Sequence, residues 1–219
     1  MSSEAIEAAV RTAFAGAPRR ERLHVAGRLR SCPVDAVGDA TPAVGRVLDF
    51  GCGHGAVALY LAMQASGRSV TGVDVDGDKI ALARDAASAA GVTVTFDEVA
   101  TDYRPKGEWD AITIVDVLYL LDEAARLEVI DGAARALAPG GVLVIKEIDV
   151  RPRWKFWIAA AQELVATKVL RITAGSEMHW LPPGVIGARL IGAGLKVEQR
   201  PLHHGRLHPH HLILGRKPA

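Results

Sequence analysis

The spacing of apolar positions changes several times along the chain, and the changes mark its elements. Ala5, Ile6, Ala9, Val10, Ala13 and Phe14 recur at helical intervals, which predicts an amphipathic helix ending before Pro18. Residues 33–42, bounded by two prolines, read as loop. A short apolar run at 45–50 suits a buried parallel strand, and the apolar-periodic segment after Gly55 predicts a helix running to Gly67. Residues 69–75 form a second, β-branched strand ending in acid. Helix 78–90 then stops at Gly91, a natural residue for a left-handed helix end. Strand 92–96, strand 109–115, helix 122–138 and strand 142–148 follow, with Pro139-Gly140-Gly141 as the turn before the last.

Strands alternating with helices imply a mostly parallel sheet covered on both faces. After residue 148 the pattern changes to a long helix at 154–172, a loop rich in Gly and Pro, and a helix at 184–193. The chain then reads as two strands, 195–202 and 207–215, joined by His203-His204-Gly205-Arg206. That hairpin places the last strand antiparallel to its neighbours.

Composition narrows the picture. A chain of 219 residues with 49% hydrophobic content suits one α/β domain spanning 1–219. Its expected parts are a helical and loop extension (1–42), a ligand-binding core (43–150), a helical insertion (151–194) and the terminal hairpin (195–219). The net charge of +1 gives no bulk reason to expect nucleic acid. Arg19, Arg20, Arg22, Arg28 and Arg30 make the beginning locally basic, and read as a solvated arginine face. Cys32 and Cys52 show no paired metal spacing and no signal-peptide pattern precedes them, so a cytoplasmic protein without a metal is expected. No uninterrupted apolar run reaches transmembrane length.

The candidate chemistry begins at Val47-Leu48-Asp49-Phe50-Gly51-Cys52-Gly53-His54-Gly55. Here the chain must turn sharply from strand to helix, and Gly51, Gly53 and Gly55 permit positive φ and close approach of a ligand. Asp49 sets this loop apart from a simple phosphate cradle. A carboxylate repels a pyrophosphate and attracts an ammonium or sulfonium. Gly51-Cys52-Gly53-His54-Gly55-Ala56 also satisfies Gly-x-Gly-x-x-Ala, so an NAD(P)-dependent oxidoreductase is the rival reading. No Tyr-x-x-x-Lys pair accompanies it.

Taken together, these motifs resemble those of class I S-adenosylmethionine-dependent methyltransferases that act on small molecules, over residues 43–215. Val47 to Gly55 resembles the family's first motif. Asp74, closing Thr71-Gly72-Val73-Asp74, resembles the acid that holds the ribose hydroxyls. Trp109-Asp110-Ala111-Ile112 with Asp116-Val117-Leu118 resembles the fourth-strand motif, and Pro139-Gly140-Gly141 the turn before the fifth strand. The resemblance implies a Rossmann-like, doubly wound, seven-stranded sheet in order 3-2-1-4-5-7-6 with strand 7 antiparallel. It further implies S-adenosyl-L-methionine as cofactor, held by Asp49, Gly51, Cys52, Gly53, Gly55, Asp74, Val75, Asp116 and Val117. Related chains often place an acid after the third strand; Ala100 stands there, leaving Thr101 to offer backbone atoms and Asp102 to substitute if the loop is shifted.

The acceptor side is read from what remains. Transfer to a hydroxyl needs a proton acceptor at the carboxyl ends of the strands, where Lys146, Glu147 and Asp149 fall. Glu147, His179 and His204 are the candidate bases, beside hairpin and packing roles for the histidines, and Tyr119, Trp154, Trp157 and Trp180 are candidate acceptor contacts. The apolar face of helix 154–172 could wall an apolar pocket or rest peripherally on lipid headgroups; the plainer reading packs it on its own domain or on a homodimer mate. The expected activity is methyl transfer to a small apolar, aromatic or lipid-like acceptor, with O-methylation preferred. A non-catalytic S-adenosylmethionine-binding protein is the third reading.

Overall fold

A computed structural model of the chain describes residues 1–148, 182–202 and 209–219. The expected helix 154–172 lies outside the described residues, as do Asp149, His179, His204, Trp154, Trp157 and Trp180. The first elements are α1 (Ser3–Ala13), α2 (Arg19–Ser31), α3 (Val34–Ala40), β1 (Val44–Phe50), α4 (Ala56–Gln64), β2 (Gly67–Asp74), α5 (Gly77–Ala90) and β3 (Val94–Glu98). They are followed by β4 (Trp109–Val115), α6 (Glu123–Ala136), β5 (Leu137–Ile148), α7 (Pro183–Gly192), β6 (Lys196–Pro201) and β7 (His210–Arg216).

All seven strands join one sheet in the order β3-β2-β1-β4-β5-β7-β6. The strands β1 to β5 pair in parallel, while β7 runs antiparallel to both β5 and β6. This is the expected order, with the expected reversal. Val47, Val142, Val144 and Leu214 face one side, where Ile6, Val10, Phe14 and Tyr60 cover them. Leu48, Ile112, Ile145 and Ile213 face the other, beneath Ile130 and Leu190. Alternate strand positions thus feed two cores, because successive side chains leave a strand on opposite faces.

Five boundaries differ from expectation, each for a physical reason, and the first is that α4 stops at Gln64 where a helix to Gly67 was expected, because Gly67 already pairs in β2 opposite Val44. The arginine-rich stretch is a 13-residue helix, α2, because Val25 and Leu29 at i and i+4 are both buried. The loop expected at 33–42 contains α3, whose Val34 and Val37 are buried and whose Gly38 would, with a Cβ, stand 2.9 Å from Tyr60 Cε1. Strand β3 starts two residues late because the Val92 amide is consumed in closing α5, donating to Ala87 at 3.2 Å. The turn at Pro139-Gly140-Gly141 sits inside β5 as a bulge, where Trp109 pairs with Leu137 and Ala111 with Val142.

Candidate functional site

The glycine loop leaves β1 and is folded back onto the end of β2. The Gly51 and Cys52 amides both donate to the Val73 carbonyl, at 2.8 and 3.0 Å. The Gly53 amide donates to Asp74 Oδ2 at 2.7 Å, and the Asp76 amide to Asp74 Oδ1 at 3.0 Å. Both oxygens of Asp74 are therefore aimed by backbone, with lone pairs left over for a diol. The three glycines have different duties. A Cβ on Gly51 would meet Val117 Cγ2 at 2.5 Å, and one on Gly55 would meet Phe96 Cζ at 2.6 Å, so these two allow close packing. Gly55 accordingly serves helix-on-strand contact and does not line the cavity. Gly53, at φ +53, has nothing nearer a built Cβ than Lys79 Cδ at 4.0 Å, and it opens onto the cavity.

Asp49 lies beneath this loop, 1% exposed. Its Oδ1 accepts the Thr113 hydroxyl at 2.7 Å, whereas its Oδ2 has no hydrogen-bond partner among the described residues. Burial pushes the carboxyl up to about 7, against the pull of Thr113. A buried acceptor without a donor is costly. An ammonium beside it would supply the missing bond and draw the carboxyl back to its ionised form. The donor set therefore fits the amino-acid end of the implied cofactor, and Asp74 fits its ribose.

Asp116, expected to help hold the cofactor, is paired with side chains of the protein itself. It has φ +54, the sole positive-φ residue other than glycine among the described residues. Both of its oxygens accept from Lys146 Nζ at 2.7 Å, and Arg28 approaches at 3.4 Å. Burial alone would raise its carboxyl; Lys146, then Arg28, outweigh burial and hold it below the ordinary value. Lys146, wholly buried, is committed to this pair and so is not a free base. Glu147 is likewise engaged, its Oε1 accepting the Val117 and Leu118 amides at 3.1 and 2.9 Å. Burial, then the Asp116 charge, push its carboxyl up to about 8. Glu147 lies outside the cavity lining and shapes the loop after β4, so its expected place as a base is corrected.

Helix α2 roofs the site, which nothing in its composition announced. His54 Nε2 donates to Glu21 Oε2 at 2.8 Å, and the His24 and His54 rings lie 5.0 Å apart. Arg28 donates to the Val115 carbonyl at 2.7 Å, and His210 Nε2 to that of Ser31 at 2.7 Å. Three ties thus fix the helix across the carboxyl ends of β1 and β4 and the amino end of β7. Burial first, then His54, lowers His24 to about 3, and burial also lowers His54 against the pull of Glu21. The His24 imidazole is therefore neutral at pH 7 and adds no positive charge beside a cationic ligand.

Between roof and sheet lies a cavity of about 1150 Å³. Asp49, Gly51, Cys52, Gly53, Asp74, Val75, Thr101, Asp116 and Val117, read from the sequence as candidates for holding cofactor, and Tyr119, read as a candidate acceptor contact, all line it. Phe50 and Tyr103 stack nearly parallel along one wall, centroids 6.3 Å apart. Asp102 is exposed and outside the lining: the turn closed by the Tyr103 amide on Ala100 directs Ala100 and Thr101 inward instead. Of the two described hairpin histidines, His210 lines the cavity.

Comparison with known proteins bears on this geometry. A methyltransferase domain family matches residues 47–141. A demethylmenaquinone methyltransferase of Thermus thermophilus is 35% identical over 177 residues, covering 73% of this chain and 78% of that protein. A ubiquinone biosynthesis O-methyltransferase of Pseudomonas aeruginosa is 29% identical over 156 residues. That match covers 70% of this chain and 65% of the relative, less than two thirds of its length. A solved O-methyltransferase family protein of Burkholderia thailandensis superposes with a TM-score of 0.73 at 23% identity, covering 94% of this chain and 62% of that one. The last likeness is one of fold.

Proposed function

Because the chain belongs to the class I S-adenosyl-L-methionine-dependent methyltransferases, we propose that it methylates a hydroxyl of a small quinone- or phenol-like acceptor. The observation that carries the donor half is the buried, half-bonded Asp49 set one turn from Asp74 across the glycine loop. A cation at one end and a diol at the other describe the family's cofactor; a dinucleotide would bring its pyrophosphate to a buried carboxylate. When bound, the cofactor supplies a methyl group made electrophilic by its sulfonium.

The acceptor half rests on space and on the relatives. A cavity of about 1150 Å³ exceeds the roughly 300–1,000 Å³ of pockets built for one small ligand, so a second occupant fits beside the donor. Phe50, Tyr103 and Tyr119 give that cavity flat, apolar surface. Two relatives carry quinone-pathway names, which supports a quinone-like ring as acceptor, and the one named an O-methyltransferase supports oxygen as its nucleophile. The protein's task is positioning: an oxygen held in line with the methyl at near-attack distance, with water displaced by α2. Transfer would leave S-adenosylhomocysteine and a methyl ether, with the hydroxyl proton passing to solvent or a nearby acceptor.

Titration calorimetry with S-adenosylhomocysteine and with NADH tests the donor, and binding of NADH alone would overturn the proposal. Asp74→Ala is expected to weaken S-adenosylhomocysteine binding by about 1–3 kcal/mol through lost charge-assisted hydrogen bonds. Unchanged affinity would remove Asp74 from the site. Incubation with labelled donor and catechols or hydroquinones tests the acceptor, with methyl ether as the expected product.

A further inference from the structure

A glycine lies in the middle of α2, where it is one of the poorest helix formers. Some other helical glycines have packing reasons, whereas Gly184 and Gly192, near the ends of α7, meet nothing within 4 Å and do not line the cavity. Gly38 in α3 is pressed against Tyr60, and a Cβ on Gly187 in α7 would collide with Gln199. A Cβ on Gly27, by contrast, meets no atom of the described residues within 4 Å. Gly27 also lines the cavity. The helix conformation does not need glycine there, and packing does not need it either. What the missing side chain preserves is open volume on the ligand side.

The surroundings say what that volume faces. Val25 and Leu29 hold α2 to the core, Val25 also bordering the cavity, while Arg20, His24, the adjacent Gly27 and Arg28, and Ser31 recur every three to four residues along the helix and line it. Gly27 falls between two contacts that α2 makes with the glycine loop and the end of β4. One turn before it His24 lies against His54 of the glycine loop; next to it Arg28 binds the end of β4 at Val115. Leu23 shares the lining and is 62% exposed, an apolar surface left open among the described residues. Uncharged His24 and apolar Leu23 flank the gap, which suits a flat, weakly polar ring.

Resting on the methyltransferase reading above, we propose that Gly27 sets the size limit of the acceptor, which lies as a ring against the bare backbone of α2. Gly27 is a specificity-determining position, with no part in the chemistry. A side chain there enters the acceptor's volume and leaves the donor's bonds to Asp49, Asp74 and the glycine loop intact.

The test uses the full chain, S-adenosylhomocysteine for the donor site and 2,3-dihydroxynaphthalene as the ring probe, added to donor-saturated protein in a calorimeter. Gly27→Leu is expected to weaken the ring probe about tenfold or more, as when a side chain intrudes on a filled site. S-adenosylhomocysteine affinity should stay within about twofold, as for non-contacting positions. Gly27→Ala guards against misfolding: it should raise the thermal midpoint by about 2–4 °C through helix propensity alone. Equal ring affinity in Gly27→Leu and the parent overturns the proposal, as does a parallel loss of S-adenosylhomocysteine, which would assign the gap to the donor. Donor binding without ring binding in the parent also overturns it, leaving the methyltransferase reading in place. Failure of the parent to bind S-adenosylhomocysteine defeats that reading itself.

Discussion

Lys146→Met is expected to lower the free energy of unfolding by about 3 kcal/mol, the lower end of the range for breaking a buried pair by removing one partner. The lysine ammonium is wholly buried, and both oxygens of Asp116 take their short bonds from it. Without it, an ionised carboxylate at 8% exposure is left with Arg28 at 3.4 Å. Arg28 is why the loss should sit at the low end. Adding Asp116→Asn should restore most of the stability, since the charge disappears and asparagine tolerates the φ of +54. Urea denaturation of the single and double variants measures both effects. A single variant as stable as the parent would mean that the pair contributes nothing to the fold.

The second large effect concerns pH. Between pH 5 and pH 7, S-adenosylhomocysteine affinity should rise by about tenfold or more, because its ammonium needs Asp49 ionised and is itself charged throughout this range. Burial raises the Asp49 carboxyl from 3.8 to about 7, so below pH 7 the free protein holds a proton that binding must release. The sign for folding is opposite. A carboxyl raised on folding favours the native state at low pH, and that contribution is lost as pH climbs from 3.8 through about 7. Asp49→Asn should bind about 1.5–3 kcal/mol more weakly, with the pH dependence flattened. Calorimetry in buffers of different ionisation enthalpy counts the released proton. A parent affinity that is flat over this range would show that Asp49 does not meet the ammonium.

Backbone demands made much of the donor site legible. Gly51 and Gly53 have left-handed φ, and Asp74 must close a strand beside them, so a linear motif carries the geometry. The pair Asp116–Lys146 was not legible in that way. The two residues are 30 apart and meet because β4 and β5 pair with Val115 opposite Lys146, a register that no local pattern encodes. The roof was hidden for a different reason. Helix α2 buries Val25 and Leu29 amid five arginines and a glycine, too weak a stripe to read against a polar background. Its ties to His54, Val115 and His210 are long-range, and two of them end on backbone carbonyls, which leave no trace in composition. The loop expected between Pro33 and Pro42 misjudged the prolines: Pro33 immediately precedes α3, a position where proline does not interrupt the helix.

The placement of α2 also separates what is inherited by sequence likeness from what builds the pocket. The family match begins at residue 47, after all of the first three helices. A protein trimmed to that match would keep the glycine loop but lose the ceiling over it, and would bare the α4 surface that α1 covers with Ile6 and Val10. The size limit proposed at Gly27 therefore predicts that the opening segment behaves as a cassette. Transplanted between relatives with its ties to the glycine loop and to β4 matched, it would carry one member's choice of acceptor onto another member's donor site.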